Sequence, residues 1–143
     1  MKIAIGGDHA GFEYKNAIKT HLEKLGHIVE DFGPFSDESC DYPDIAHPLA
    51  LSVEAGSNEL GIGICGSGNG INMTLNKHQG IRSALCWEVE LAQLARQHNN
   101  ANIIALPARF IEQEDAVEMV ASFLTTEFEG GRHERRVNKI ACK

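Results

Sequence analysis

The stretch LGIGICGSGNG, residues 60–70, decides the fold class. LGIGIC (60–65) is a short apolar run with isoleucine at 62 and 64, which predicts a buried strand. A glycine-rich turn follows, then a helical pattern through residue 77. Five glycines fall between residues 61 and 70. Gly66, Gly68 and Gly70 let the backbone approach a ligand closely and turn successive N–H groups inward. Beside a helix N-terminus, such donors suit an anion or a developing oxyanion. A plain strand-to-helix turn needs only one glycine, so a ligand is the better account of three.

The same strand-then-helix unit repeats outward in both directions. KIAIG (2–6) predicts a first strand that opens into Gly6-Gly7-Asp8-His9. Tyr14, Ala17, Ile18, His21, Leu22 and Leu25 recur at helical spacing, with Gly26 as a stop. HIVEDF (27–32) predicts a second strand. Asp41-Tyr42-Pro43 reads as a cap with proline in the first turn, and Pro48 predicts a bend in that helix. IRSALC (81–86) and NIIAL (102–106) predict two further strands. A helix ending near His98 lies between them, and another covers 112–126. A short basic helix follows Gly130-Gly131. The pattern predicts one α/β domain over 1–143, a three-layer α/β/α, Rossmann-like arrangement around an open parallel sheet of about five strands. Ligands in such sheets bind beyond the carboxyl ends of the strands, which points to the loops after Gly6, Cys65, Cys86 and Leu106.

Composition narrows the function. The 143 residues are 43% hydrophobic and 23% charged, the balance of a globular chain. No apolar run approaches a membrane span. Only MKIAI precedes the first glycines, too little for a signal-peptide core, so a cytoplasmic protein with reduced thiols is expected. The net charge of −7 argues against non-specific nucleic-acid binding. Residues 132–143 differ, with five cations against Glu134 alone, a local basic tail that suits a small anion. Cys40, Cys65, Cys86 and Cys142 form no CxxC pair. No set of His, Cys, Asp and Glu shows metal-ligand spacing, so no metal is expected.

Cys65 is the sharpest single residue. It stands at a strand end beside backbone donors, a field that favours its thiolate as base or nucleophile. Cys86 reads as a small buried hydrophobe. Asp8-His9 follows the first strand at the same sheet edge and serves equally well as an N-cap with a surface histidine. His98-Asn99 ends a helix, where histidine commonly complements the dipole. Arg109 follows the last strand. Arg132 and Arg136 are four apart, so both can face one phosphate, or simply solvate a terminal helix. Gly61, Gly63 and Gly66 formally match GxGxxG, and Asp31 ends the second strand where a ribose-binding acid would sit.

The segments GGDHAG (6–11), DYPD (41–44), GICGSGNGINMTLNK (63–77), GIRSALC (80–86), ARQHNNANIIALPAR (95–109) and EGGRHERRV (129–137) occur in fixed order along nearly the whole chain. In these segments the chain resembles the sugar-phosphate isomerase family that includes ribose-5-phosphate isomerase B and the galactose-6-phosphate and allose-6-phosphate isomerases. The resemblance implies an aldose–ketose isomerase that needs no metal or organic cofactor. It also implies a homodimer with active sites at the subunit interface, with pairing into tetramers left open. By motif position Cys65 is the proton-abstracting base and His98 the ring-opening acid. Asp8, His9, Gly66, Ser67, Gly68, Asn69, Gly70, Asn99, Arg109, Arg132 and Arg136 fall on ligand-binding positions. One branch of the family uses a glutamate just after the glycine loop; Ile71 stands there in this chain, which leaves Cys65 as the base.

The expected substrate is ribose 5-phosphate, interconverted with ribulose 5-phosphate through an enediolate. A six-carbon sugar phosphate is the nearest alternative. A non-catalytic nucleotide-binding module is the alternative from another class.

Overall fold

The apolar runs become five strands in the computed structural model, which describes residues 1–142. They are β1 (Lys2–Gly7), β2 (Ile28–Asp31), β3 (Leu60–Cys65), β4 (Ser83–Leu85) and β5 (Ile103–Pro107). The helices are α1 (Phe12–Lys24), α2 (Tyr42–Glu54), α3 (Asn69–Leu75), α4 (Val89–Asn99), α5 (Gln113–Thr125) and α6 (Arg132–Val137). A single 3-10 turn, His9–Gly11, joins β1 to α1. All strands are parallel, in the order β2-β1-β3-β5-β4. The three-layer α/β/α reading holds.

Strand alternation sorts the core into two layers. Ile3, Ile5, Ile62, Ile64, Ile104 and Leu106 pack with residues of α1, α4 and α5 on one face. Ala4, Cys65, Ile103 and Ala105 pack with α2 and α3 on the other. The second face carries mostly small residues beside Ile103, and Gly61 and Gly63 belong to it. A Cβ on Gly63 would stand 3.0 Å from Leu75 and 3.3 Å from Ile71, so glycine here lets α3 lie close to the sheet. Cys65 comes next on this face after Gly61 and Gly63.

Local deviations have simple causes. β4 is an edge strand and pairs only β5, so it is shorter than the run at 81–86 predicts. α3 ends at Leu75 rather than residue 77. Asp41 sits at the N-cap of α2, but its side chain makes no capping bond. α2 runs unbroken through Pro48, which is solvent-exposed, where water can serve the carbonyl left without its N–H. No helix of the described residues is long and apolar enough to cross a membrane.

The chain reaches both neighbours of β1, β2 on one side and β3 on the other. The crevice between the carboxyl ends of β1 and β3 is therefore the topological switch point of the sheet. The helices run back against the strands. Their C-terminal ends, including that of α4, therefore lie at the opposite edge of the sheet.

Candidate active site

The switch point holds a cleft of about 530 Å³, lined by Asp8, His9, Tyr42, Cys65, Gly66, Ser67, Gly70, Arg109 and Phe110 among others. Strand ends supply most of this lining. Asp8 follows β1, and its backbone N–H donates to Ile64 O at 3.1 Å, which fixes the two strand ends together. Its carboxylate accepts the Ala10 N–H at 2.9 Å. The N-cap reading of Asp8 and its place in the cleft are both correct.

His9 Nδ1 accepts the Cys40 backbone N–H at 3.3 Å. In the neutral ring this leaves the proton on Nε2, a donor suited to a phosphate oxygen. Cys65 ends β3 with only 5% of its surface exposed. Among the described residues, its sulfur has no hydrogen-bond partner, and the N–H groups of Gly66, Ser67 and Gly68 donate to no other group. Free backbone donors in the loop that follows a thiol suit an anion or oxyanion. Arg109 donates its backbone N–H to Gly66 O at 3.0 Å, and its guanidinium lies across Gly66, where a Cβ would come within 3.1 Å of Nη1. Arg109 has no acidic partner among the described residues and is exposed.

Gly68 takes a φ of +76° at the start of α3, a conformation that glycine tolerates without strain. Asn69 faces a neighbouring apolar recess formed with Leu85, Trp87, Pro107 and Phe110, not the cleft itself. Tyr42 is a cleft residue that the sequence reading passed over. Its ring covers Gly70, which has no room for a side chain. The signal for it is the DYPD segment, which reads as a helix cap and belongs to the family resemblance without marking Tyr42 as a site residue.

The remaining candidates lie elsewhere. His98 and Asn99 close α4 at the far edge of the sheet. β5 separates that edge from Cys65, which is paired with Pro107 at the other end of the strand. Five residues of strand put the two edges on the order of 15 Å apart. Arg132 and Arg136 ride on α6, which packs against α4. Asn99 lines a separate cavity of about 370 Å³ with Arg82, His78 and Cys142.

His98 and His133 stack with ring centroids 4.3 Å apart. Glu129 Oε1 lies 3.8 Å from His98 Nε2 and 3.7 Å from His133 Nε2. Loss of solvent holds the His133 pKa below the ordinary histidine value, and His98, Arg132 and Arg136 act in the same direction against Glu129. His133 therefore gains its proton only at lower pH than a free histidine. The sequence reading expected no such convergence. Glu129 and His133 are an i, i+4 pair, but only the packing of α6 on α4 adds His98.

The dinucleotide reading fails at two points. Gly61 and Gly63 serve helix packing rather than a phosphate turn. Asp31 is bonded by the fully buried Lys15 at 2.7 and 2.9 Å and by the Gly33 N–H at 2.8 Å, so it is not free for a ribose. Cys86 is a packing residue, as expected: it is 1% exposed, and burial pushes its thiol up to about 12.

Residues 3–140 match the family described as Ribose/Galactose Isomerase. The chain belongs to this family. The ribose-5-phosphate isomerase B of Escherichia coli is 45% identical over 141 residues, covering 99% of this chain and 95% of the relative. The crystal structure of ribose-5-phosphate isomerase B from Mycoplasma genitalium with bound ribulose-5-phosphate superposes with a TM-score of 0.93. It is 43% identical and covers 97% of this chain and 93% of that one. A relative from Pectobacterium atrosepticum named D-erythrulose-4-phosphate isomerase is 42% identical over 98% of this chain and 93% of its own.

Proposed function

We propose that this isomerase interconverts ribose 5-phosphate and ribulose 5-phosphate in the cytoplasm, in a site that two copies of the chain build together. The observation that carries the reading is the division of the candidate residues. Cys65, the free N–H donors, Asp8, His9 and Arg109 stand at one edge of the sheet. His98, Asn99, Arg132 and Arg136 stand at the other. A homodimer in which the α4–α6 corner of one copy enters the cleft of its partner brings the two sets together, and two-fold symmetry then makes two equal sites.

In that site, Asp8 and His98 open the furanose ring. The arginines and His9 hold the phosphate through charge-assisted bonds. Cys65, as thiolate, removes the C2 proton and returns it to C1, while the O2 hydroxyl proton passes to O1. The intermediate enediolate oxygen lies against the Gly66–Gly68 N–H groups and the Ser67 hydroxyl. The residues do this without a metal or organic cofactor.

One relative is named for a four-carbon substrate, D-erythrulose 4-phosphate, so the decisive experiment is a comparison. Isomerisation is measured across four-, five- and six-carbon aldose phosphates, with exchange of solvent deuterium into the product. The expected result is the highest kcat/KM on ribose 5-phosphate, with deuterium at C1 of ribulose 5-phosphate. A clear preference for a six-carbon phosphate overturns the substrate. Binding without turnover on every sugar overturns the isomerase reading.

A further inference from the structure

Among the described residues, one set of three metal-ligating side chains converges: His98, Glu129 and His133, with ligand atoms all within 4.8 Å of one another. Backbone structure holds them there. The Glu129 N–H donates to Gln97 O at 3.0 Å, tying the loop before α6 to the last turn of α4. Two of the three residues, Glu129 and His133, have no part in the isomerase chemistry proposed here. We propose that this trio binds a borderline-soft divalent transition-metal ion, with zinc as the type case, and that the bound ion switches the isomerase off.

The donor set is two imidazole nitrogens and one carboxylate oxygen, a three-ligand zinc set with a fourth position open to water. Magnesium and calcium prefer oxygen donors and are poorly served by it. Two edges of the triangle measure 3.7 and 3.8 Å, and the third does not exceed 4.8 Å. A point equidistant from all three atoms lies within about 2.5 Å of each, so contraction by a few tenths of an ångström reaches zinc–nitrogen distance. The imidazole planes are only 11° apart, so one ring must turn about χ2 to aim its lone pair inward. His98 and Glu129 are 41% and 52% exposed, which leaves them free to do so.

Arg132 and Arg136 oppose a dication in this corner, so affinity falls short of a closed four-ligand structural site. The functional consequence follows from His98. A ring nitrogen committed to a metal cannot carry the proton for ring opening. The switch rests on the proposed isomerase reading; the binding site does not.

The test uses the full reduced chain and cobalt(II) as a spectroscopic stand-in for zinc. One equivalent per chain is expected, with visible d–d bands of a low-coordinate nitrogen–oxygen site and no thiolate charge-transfer band. Zinc should displace it. Glu129→Gln and His133→Asn should each weaken binding by roughly tenfold or more. Zinc should inhibit the isomerase, a chelator should restore it, and magnesium should do neither. A thiolate band, unchanged affinity in both variants, or no binding overturns the site. Tight cobalt binding with undiminished turnover overturns the switch. Absence of any ribose 5-phosphate isomerase activity defeats the functional reading instead, and the cobalt spectra still decide the site.

Discussion

The two groups of candidate residues are built in different ways. The strand-end group, at Asp8, Cys65 and Gly66–Gly70, is set by backbone. Cys65 is held in a central strand, Asp8 is bonded across to Ile64, and the donors are main-chain N–H groups. The helix-end group, at His98, Asn99, Arg132 and Arg136, consists of side chains on α4 and on the six-residue α6. The first group can hold a developing negative charge in a fixed position. The second offers exposed side-chain cations and a histidine. In the proposed dimer, backbone oxyanion support would come from one subunit and side-chain phosphate capture from its partner.

The largest expected effect falls on the rigid side. Cys65→Ser should lower isomerisation by roughly 10²–10⁴-fold or more, because a serine hydroxyl is a far weaker base at neutral pH. Sugar-phosphate affinity, measured by titration calorimetry, should stay near that of the unaltered chain. Substantial turnover in this variant places the base elsewhere.

Mixing variants tests the division itself. His98→Asn should be inactive on cyclic ribose 5-phosphate but less impaired in proton exchange on an open-chain substrate. When Cys65→Ser and His98→Asn chains are mixed and allowed to exchange subunits, random pairing gives hybrid dimers with one intact site each. Activity should rise from near zero toward about a quarter of the wild-type value. No recovery, despite demonstrated hybrids, means that both residues act from one chain, which the fold at the two sheet edges would then have to explain.

A smaller loss is expected in the helix-end group. Arg132→Ala combined with Arg136→Ala removes two charge-assisted contacts, each worth roughly 1.5–3 kcal/mol when well formed. Substrate binding should weaken by about a hundredfold or more, with the fold kept because α6 is terminal. Normal binding by this variant leaves His9 and Arg109 as the phosphate site.

The strand-end group was legible in the sequence because its spacing is local. Cys65 and its three following glycines lie within six residues, and the rule placing ligands at strand carboxyl ends located them. The strand and helix order was legible for the same reason. The helix-end group was only half legible. The spacing of Arg132 and Arg136 marks them as a phosphate pair, and the role of His98 follows from the resemblance, while the place of all three at the opposite edge follows from helices running back against the strands. Glu129 and His133 carried no usable signal, since their meeting with His98 depends on how α6 docks. The GxGxxG match misled because glycine in a strand can serve a neighbouring helix, as Gly61 and Gly63 do, as well as a phosphate.

The smallest effect on activity is expected at Cys86, which separates position at a strand end from membership of the cleft. It follows β4 as Cys65 ends β3, yet its thiol points into the core and donates to Ala84 O at 3.6 Å. Cys86→Ser should keep most of the specific activity, since the hydroxyl can make the same bond. The difference should appear in alkaline stability. Burial raises the Cys86 pKa from 9.0 to about 12. Below pH 9 the thiol is protonated in folded and unfolded chains alike, and its contribution is fully present. As pH rises from 9 toward 12, the unfolded chain loses this proton while the folded chain keeps it, so stability falls. Denaturant titrations over that range should therefore show a steeper decline in the unaltered chain than in Cys86→Ser, by up to a few kcal/mol. Parallel curves would show that the thiol is not sealed from water. The contrast between the two strand-end cysteines would then rest on the neighbouring donors alone.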